Sequence, residues 1–320
     1  SGDGKGLIKS SIRGDDLFIL CDVGNYSCTY NYFGRENSMS PDDHYQDLKR
    51  IIQAAGGKAH RINIIMPSLY GGRQHRRNYR ESLDCAVALQ ELQSMGVSNI
   101  LTFDAHDPRV QNAVPLMGLD NIIPSYQVLK AMFKNLSDFR PDKDHFMIIS
   151  PDEGAINRNM YYASVLGVNL GMFYKRRDYS TIIDGRNPIV AHEYMGNDVA
   201  GKDVFIADDI ISSGESMLDI AVELKKRKAN KIYCYATYPI FTNGLEAFNK
   251  AYADGIIDGV FGTNLTYRTP ELLSSPWFYE VDCSKYIAYF IASLNHDKSI
   301  SQVIDPHTKI EALLKKYGIK

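Results

Sequence analysis

The chain has 320 residues, 44% of them hydrophobic and 23% charged, a length and balance that suit two globular domains with sizeable cores. A formal net charge of −2 speaks against a general nucleic-acid binder, and no apolar stretch reaches the ~18 residues that a membrane span needs. No basic start followed by an apolar core marks a signal peptide. The five cysteines, Cys21, Cys28, Cys85, Cys234 and Cys283, are irregularly spaced and lack a CxxC pair, which points to reduced thiols in the cytoplasm.

In chain order, "DLFILCDV" (16–23), "RINIIMP" (61–67) and "NILTFDA" (99–105) predict buried strands. Between them, "PDDHYQDLKRIIQAAGG" and "RESLDCAVALQELQSMG" repeat apolar residues every three or four positions and end at glycine, as helices do. Strand and helix in alternation imply right-handed crossovers and a parallel sheet. A boundary is expected near residues 120 to 143. The rhythm then resumes with strands at "HFMIIS" (145–150), "GVNLGMFY" (167–174), "KDVFIADD" (202–209), "KIYCYATY" (231–238) and "IIDGVFGT" (256–263). Helices are expected at "AINRNMYYASVL", "ESMLDIAVELKKRK" and "GLEAFNKAYADG". From Lys175 to about Gly201 neither a helix nor a long strand is expected; so long a connection suits a lid or binding loop. A last helical pattern, "CSKYIAYFIASLNH", fits against either unit.

The stretch "VFIADDIISSGESMLDIA" (204–221) carries the most chemistry. Its apolar run ends on Asp208 and Asp209, where open α/β sheets bind ligands outside the carboxyl ends of strands. The loop that follows leads into a helix N-terminus, whose unpaired N–H groups favour an anion. Ser212, Ser213 and Ser216 add hydroxyls, and Gly214 permits close backbone approach. Carboxylates suit sugar hydroxyls or a hydrated Mg²⁺, so the composite target is a sugar phosphate. A lone acid pair or serine turn would be an ordinary helix cap; their combination at a strand end is more specific.

This stretch resembles the phosphoribosyl-pyrophosphate (PRPP) loop of type I phosphoribosyltransferases and of PRPP synthetases. The resemblance implies that Asp208 and Asp209 take the ribose and that Ser212, Ser213, Gly214, Glu215 and Ser216 take the 5-phosphate. A third acid tends to stand in the synthetases at the position of Ser212. Four further stretches point to the synthetases. "PSLYGGRQHRR" (67–77) resembles their ATP-contacting "PYxxYARQDR", with Arg73 and Gln74 matching and His75 in place of the acid. "TFDAHDPRVQNAV" (102–114) resembles "DLHAxQIQGFF", which puts His106 and Asp104 on the histidine and acid beside the Mg²⁺ of Mg–ATP. "ISPDEGAINR" (149–158) resembles "VSPDxGGxxR", with Asp152 on an acid assigned to substrate or metal. "FYKRRDYS" (173–180) resembles the start of the flexible catalytic loop, with Lys175 and Arg177 as its paired cations. Alone, each of these would also suit a solvated turn.

The resemblance covers nearly the whole chain in order. It implies two tandem type I phosphoribosyltransferase-like α/β domains, each a mainly parallel sheet flanked by helices. Residues 1–122 would form the ATP-binding domain and 123–283 the ribose-5-phosphate domain, with 284–320 packing back on the first. It implies Mg²⁺ as cofactor, ATP and ribose 5-phosphate as substrates, and a homo-oligomer, a dimer or hexamer. The family carries a further strand and helix before a segment like "SGDGKGLIKSSIRGDD", so an N-terminally shortened form is expected, with Asp3 matching an acid at the adenine. Two alternatives stay open: a non-catalytic regulatory subunit of such a synthetase, and a phosphoribosyltransferase.

Overall fold

The computed structural model describes residues 2–77, 79–177 and 189–319, with the side chains of 175–177, 189–192 and 302 also left undescribed. Two compact units divide the chain. The first holds the residues up to Pro124 together with Asn264–Tyr267 and Cys283–Asp305. Its strands are β1 (Asp16–Leu20), β2 (Thr29–Tyr32), β3 (Arg35–Ser38), β4 (Arg61–Ile65), β5 (Asn99–Phe103) and β6 (Gly118–Ile122). Helices α1 (Pro41–Ala55) and α2 (Asp84–Ser94) and a 3-10 helix, Pro108–Ala113, connect them. A parallel sheet runs in the order β1-β4-β5-β6.

Local chemistry explains α1. Ser40 Oγ accepts from the Asp43 N–H, the Asp43 carboxylate accepts from the Ser40 N–H, Pro41 opens the helix, and Gly56 at φ +54° closes it. Tyr45, Leu48, Ile52 and Ala55 form the buried stripe that packs on the sheet. The antiparallel hairpin β2–β3 was not legible in the sequence. Phe33 and Gly34 both take left-handed φ in its two-residue turn, and its strands are mostly exposed, so no apolar alternation marks it.

The second unit holds Ser125–Thr263, Arg268–Asp282 and Pro306–Lys320. It begins with α3 (Ser125–Asn135), within the stretch expected to be a boundary. Then follow β7 (Phe146–Ser150), α4 (Ile156–Leu166), β8 (Asn169–Arg177), β9 (Ile189–Met195), β10 (Asp203–Ile211), α5 (Glu215–Lys226), β11 (Ile232–Pro239), α6 (Glu246–Ala253), β12 (Gly259–Thr263), α7 (Pro270–Ser274) and β13 (Phe278–Val281). The sheet order is β13-β12-β11-β10-β7-β8-β9, parallel throughout except for β8 against β9. β7, β11 and β12 are buried along their whole length, as strands covered on both faces must be, and this is why they read as unbroken apolar runs.

Two expectations need correction. The stretch from Lys175 to Gly201 is not all loop: β8 runs on to Arg177 and pairs antiparallel with β9, Met172 opposite Met195 and Lys175 opposite His192. His192 and Glu193 interrupt the alternation in "IVAHEYM" that would have marked a strand. The C-terminal segment is also shared between the units. Helices α8 (Ser284–Asn295) and α9 (Ser301–Ile304) belong to the first, where Arg61 donates to the Leu294 carbonyl at 3.2 Å and pairs with Asp297. Helix α10 (His307–Lys316) belongs to the second, where Tyr317, just past its end, stacks on Phe133 of α3 at 4.5 Å. Among the described residues, no helix is long and apolar enough to cross a membrane, and the five cysteines are free.

Candidate active site

In the second unit the acid pair lies inside β10, not at its end. β10 leaves β7 after Ile206, which faces Ile149, but stays paired to β11 through Ile211, which faces Pro239. Asp208 and Asp209 therefore sit where the strand has lost one neighbour and the carboxyl end of the sheet opens. Asp208 is partly exposed and Asp209 is buried. The Asp208 carboxylate accepts from the Asp209 N–H at 2.9 Å, and Arg158 of α4 stands 3.6 Å away. Burial, and next the charge of Asp209, pushes Asp208 well above the ordinary carboxylate range; Arg158 only partly opposes this.

The turn after β7 braces the same end. Ser150 Oγ donates to the Asp152 carbonyl at 2.8 Å, and the Asp152 carboxylate accepts from the Ala155 N–H at 3.1 Å, which starts α4. Asn159, fully buried, donates to the carbonyls of Ala155 and Ala207 at 2.9 and 2.8 Å. That second bond ties α4 to β10 one residue before Asp208. Asp152 adds to the negative field at Asp208.

Ser212, Ser213 and Gly214 form the loop into α5, whose first turn holds Glu215 and Ser216. Gly214 takes φ +82°, and a Cβ there would lie 2.3 Å from Phe248 Cε2, so only glycine fits. No side chain caps α5. The Glu215 N–H reaches Ser213 Oγ at 3.4 Å, and Glu215 and Ser216 are exposed. The loop thus presents hydroxyls and helix-start N–H groups beside the two carboxylates, as a phosphate loop requires.

In the first unit, the loops after β4 and β5 carry the other expected residues. The Thr102 hydroxyl donates to the Pro67 carbonyl at 2.8 Å and joins the two loops at their base. Arg73 and Gln74 are exposed. Asp104 is buried, with φ +43°, and its N–H donates to the Ile122 carbonyl at 2.8 Å. His106 is exposed, and its ring lies edge-on to His75, centroids 5.3 Å apart. His75 Nε2 is 3.4 Å from Asp107 Oδ2. Asp107 also caps the 3-10 helix through the Arg109 N–H and takes the Arg109 guanidinium on both oxygens. Hydrogen bonding to Arg109 lowers Asp107 to about 2, while burial, the leading cause, holds His75 below the ordinary imidazole range. Asp3 is exposed in the N-terminal segment; its neighbours Lys5 and Gly6 line a cavity of about 480 Å³ against β1 and α1. The side chains of Lys175 and Arg177 lie outside the described residues, although both backbones belong to β8. Among the described residues no three His, Cys, Asp or Glu side chains form a metal cluster.

Residues 1–96 match the N-terminal domain of ribose phosphate pyrophosphokinase, and residues 119–256 match a phosphoribosyl transferase domain. The chain belongs to the ribose-phosphate pyrophosphokinase family. It is 28% identical over 300 residues to the ribose-phosphate pyrophosphokinase of Shewanella oneidensis, covering 92% of this chain and 85% of that one. The Vibrio cholerae enzyme of the same name is 26% identical over 304 residues, covering 93% and 86%. Among solved structures, the phosphoribosylpyrophosphate synthetase of Mycobacterium smegmatis shares the fold, with a TM-score of 0.72 at 20% identity over 91% of this chain and 86% of that one. Two tandem α/β domains in this order are therefore the pyrophosphokinase architecture.

Within this pyrophosphokinase-family chain, sequence reasoning passed over Arg158 and Asn159, which hold the end of β10 from α4. Arg158 stood in a quoted motif, but its distance to Asp208 depends on how α4 packs. The contact of His75 with His106 and Asp107 joins two loops and had no signal in either one.

Proposed function

We propose that the chain is a ribose-phosphate pyrophosphokinase that transfers the β,γ-pyrophosphoryl group of ATP to the anomeric hydroxyl of ribose 5-phosphate, giving PRPP and AMP. The observation that carries this reading is the carboxylate pair in β10 where the strand has lost its β7 neighbour, followed after a short loop by a helix start without a side-chain cap. Asp208 and Asp209 accept hydrogen bonds from the ribose hydroxyls. The hydroxyls and N–H groups from Ser212 to Ser216 hold the 5-phosphate, and Asp152 belongs with the ribose carboxylates, to whose negative field it adds. In the first unit, Arg73 offers a planar permanent cation to the nucleotide phosphates, Gln74 adds an amide, and Asp3 stands for the adenine.

The anomeric oxygen forms a bond to the β-phosphorus of ATP as the bond from that phosphorus to the oxygen of AMP breaks, and the hydroxyl proton passes to water. Little covalent chemistry falls to the protein, which aligns the groups and offsets spread negative charge. Lys175 and Arg177 supply positive charge to the transferring group. Carboxylate donors suit Mg²⁺ chemically, an ion usually held by one or two carboxylates with water and substrate phosphates rather than by a full protein cage. His106 and Asp104 in the first unit and Asp152 in the second are the residues that would serve as its ligands, and the ion would supply positive charge to offset that of the substrate phosphates. A homo-oligomer, dimeric or hexameric, and a cytoplasmic location belong to the same reading.

Incubation of the chain with Mg²⁺, ATP and ribose 5-phosphate, followed by phosphorus NMR, tests it. AMP and PRPP are expected together, and both must vanish when the sugar is omitted. ADP as the nucleotide product would mean transfer of a single phosphoryl group. The absence of any product would favour the regulatory subunit.

A further inference from the structure

His106 is exposed at the end of β5, and an exposed imidazole turns freely about two torsions unless something packs against it. Here the ring of His75 does, edge to face, at 5.3 Å and 61°. His75 is itself held. Its side chain is 12% exposed, and its Nε2 faces Asp107 Oδ2 at 3.4 Å. Asp107 is fixed in turn by the Arg109 guanidinium and by the Arg109 N–H at 2.9 Å. The backbone before His106 is pinned as well, with the Ala105 N–H donating to Asn121 Oδ1 at 2.9 Å.

Charge constrains position 75, because Asp107 Oδ2 stands 3.4 Å from the His75 ring. An acid at 75 in this chain would face Asp107 across a few ångströms, and two carboxylates at that distance repel. We propose that His75, held by Asp107, is a positioning residue that fixes the His106 ring where the nucleotide phosphates and their metal are to be met. The assignment of His106 to the nucleotide rests on the reading given above. The contact between the rings does not.

Four proteins test it: the wild type, His75→Ala, His75→Asp, and His75→Asp combined with Asp107→Ala. The first readout is the carbon-bound proton resonance of the His106 ring in the ligand-free chain. It is expected to move on His75→Ala, because the neighbouring ring's field is lost. The second is steady-state kinetics. His75→Ala is expected to raise KM for Mg–ATP about tenfold, the lower end for losing a group that orients a ligand residue, with KM for ribose 5-phosphate nearly unchanged. His75→Asp should be worse than His75→Ala, and the double variant should recover most of the loss. An unmoved His106 resonance in His75→Ala would overturn the proposal, as would a double variant no better than His75→Asp. Equal increases in both KM values with a lower melting temperature would mark His75 as merely structural and overturn it too. If the wild type makes no PRPP, the proposed function fails, and the resonance still decides whether His75 positions His106. Should His75→Asp not fold, His75→Ala and His75→Asn carry the comparison on both readouts.

Discussion

Asp107 and Asp208 both stand near the carboxyl ends of parallel strands, one in each unit, and the protein treats them in opposite ways. Asp107 is satisfied by the chain itself: it caps a short helix, binds Arg109 through both oxygens and lies far below the usual carboxylate range. Asp208 is crowded by Asp209 and burial, with Arg158 at 3.6 Å as an incomplete counter-charge, and lies above that range. The first carboxylate is a structural brace. The second holds an electrostatic cost in the ligand-free chain that a hydroxyl donor or a cation would relieve. On the proposed reading stability and function are separable in this pair, and the pH dependence of the two carboxylates' contributions to stability is opposite in sign.

The largest expected effect touches neither acid. Lys175→Ala should lower kcat by about 100-fold or more, in line with losing a main electrostatic stabiliser, while both substrate affinities stay close to the wild type. Equal loss of affinity and turnover would instead make Lys175 a binding residue. Next comes Gly214→Val, which should destabilise the second unit by about 3 kcal/mol, since a clash with Phe248 adds to left-handed strain. Chemical denaturation checks this, and an unchanged midpoint would mean that the loop relaxes at little cost.

Asp208→Asn should do the reverse and stabilise the ligand-free chain. A carboxyl raised on folding supports the fold while protonated, and that support is lost as pH rises through its raised value. The neutral amide avoids the loss and can still accept from the Asp209 N–H. Its melting temperature should exceed the wild type's by about 2–4 °C at pH 8, with the difference closing near pH 4. A lower melting temperature at pH 8 would break the comparison. The smallest effect belongs to Asp107→Asn. A carboxyl lowered on folding contributes above its ordinary range, and the contribution fades as pH falls towards about 2. The variant should lose about 1 kcal/mol at pH 7, a figure kept small by the exposed Arg109 partner, and little at pH 2.5. Equal loss at both pH values would mean that the cap, not the charge, carries the stabilisation.

Much of this architecture was legible in the sequence because central parallel strands are buried on both faces. "FMII" and "IYCYATY" admit no polar residue that water must reach. Asp208 and Asp209 stood out for the same reason, as charges inside such a run. What escaped depends on partners distant in sequence. β9 is a strand because β8 lies beside it, not because its residues alternate. The C-terminal helices divide between the units according to what Arg61 and Phe133 offer them. The bond from Asn159 to the Ala207 carbonyl spans 48 positions, and no local pattern announces it.

The division of labour between the units is tested most directly by calorimetry on the full chain with two ligands, ribose 5-phosphate and a non-hydrolysable Mg–ATP analogue. Each is titrated against the wild type, against Asp208→Asn with Asp209→Asn, and against Arg73→Ala. The acid-pair variant should lose at least about 100-fold in sugar-phosphate affinity, the sum of two charge-assisted hydrogen-bonding groups, and keep its nucleotide affinity. Arg73→Ala should show the opposite pattern. Ribose 5-phosphate binding unchanged in the acid-pair variant would contradict the account.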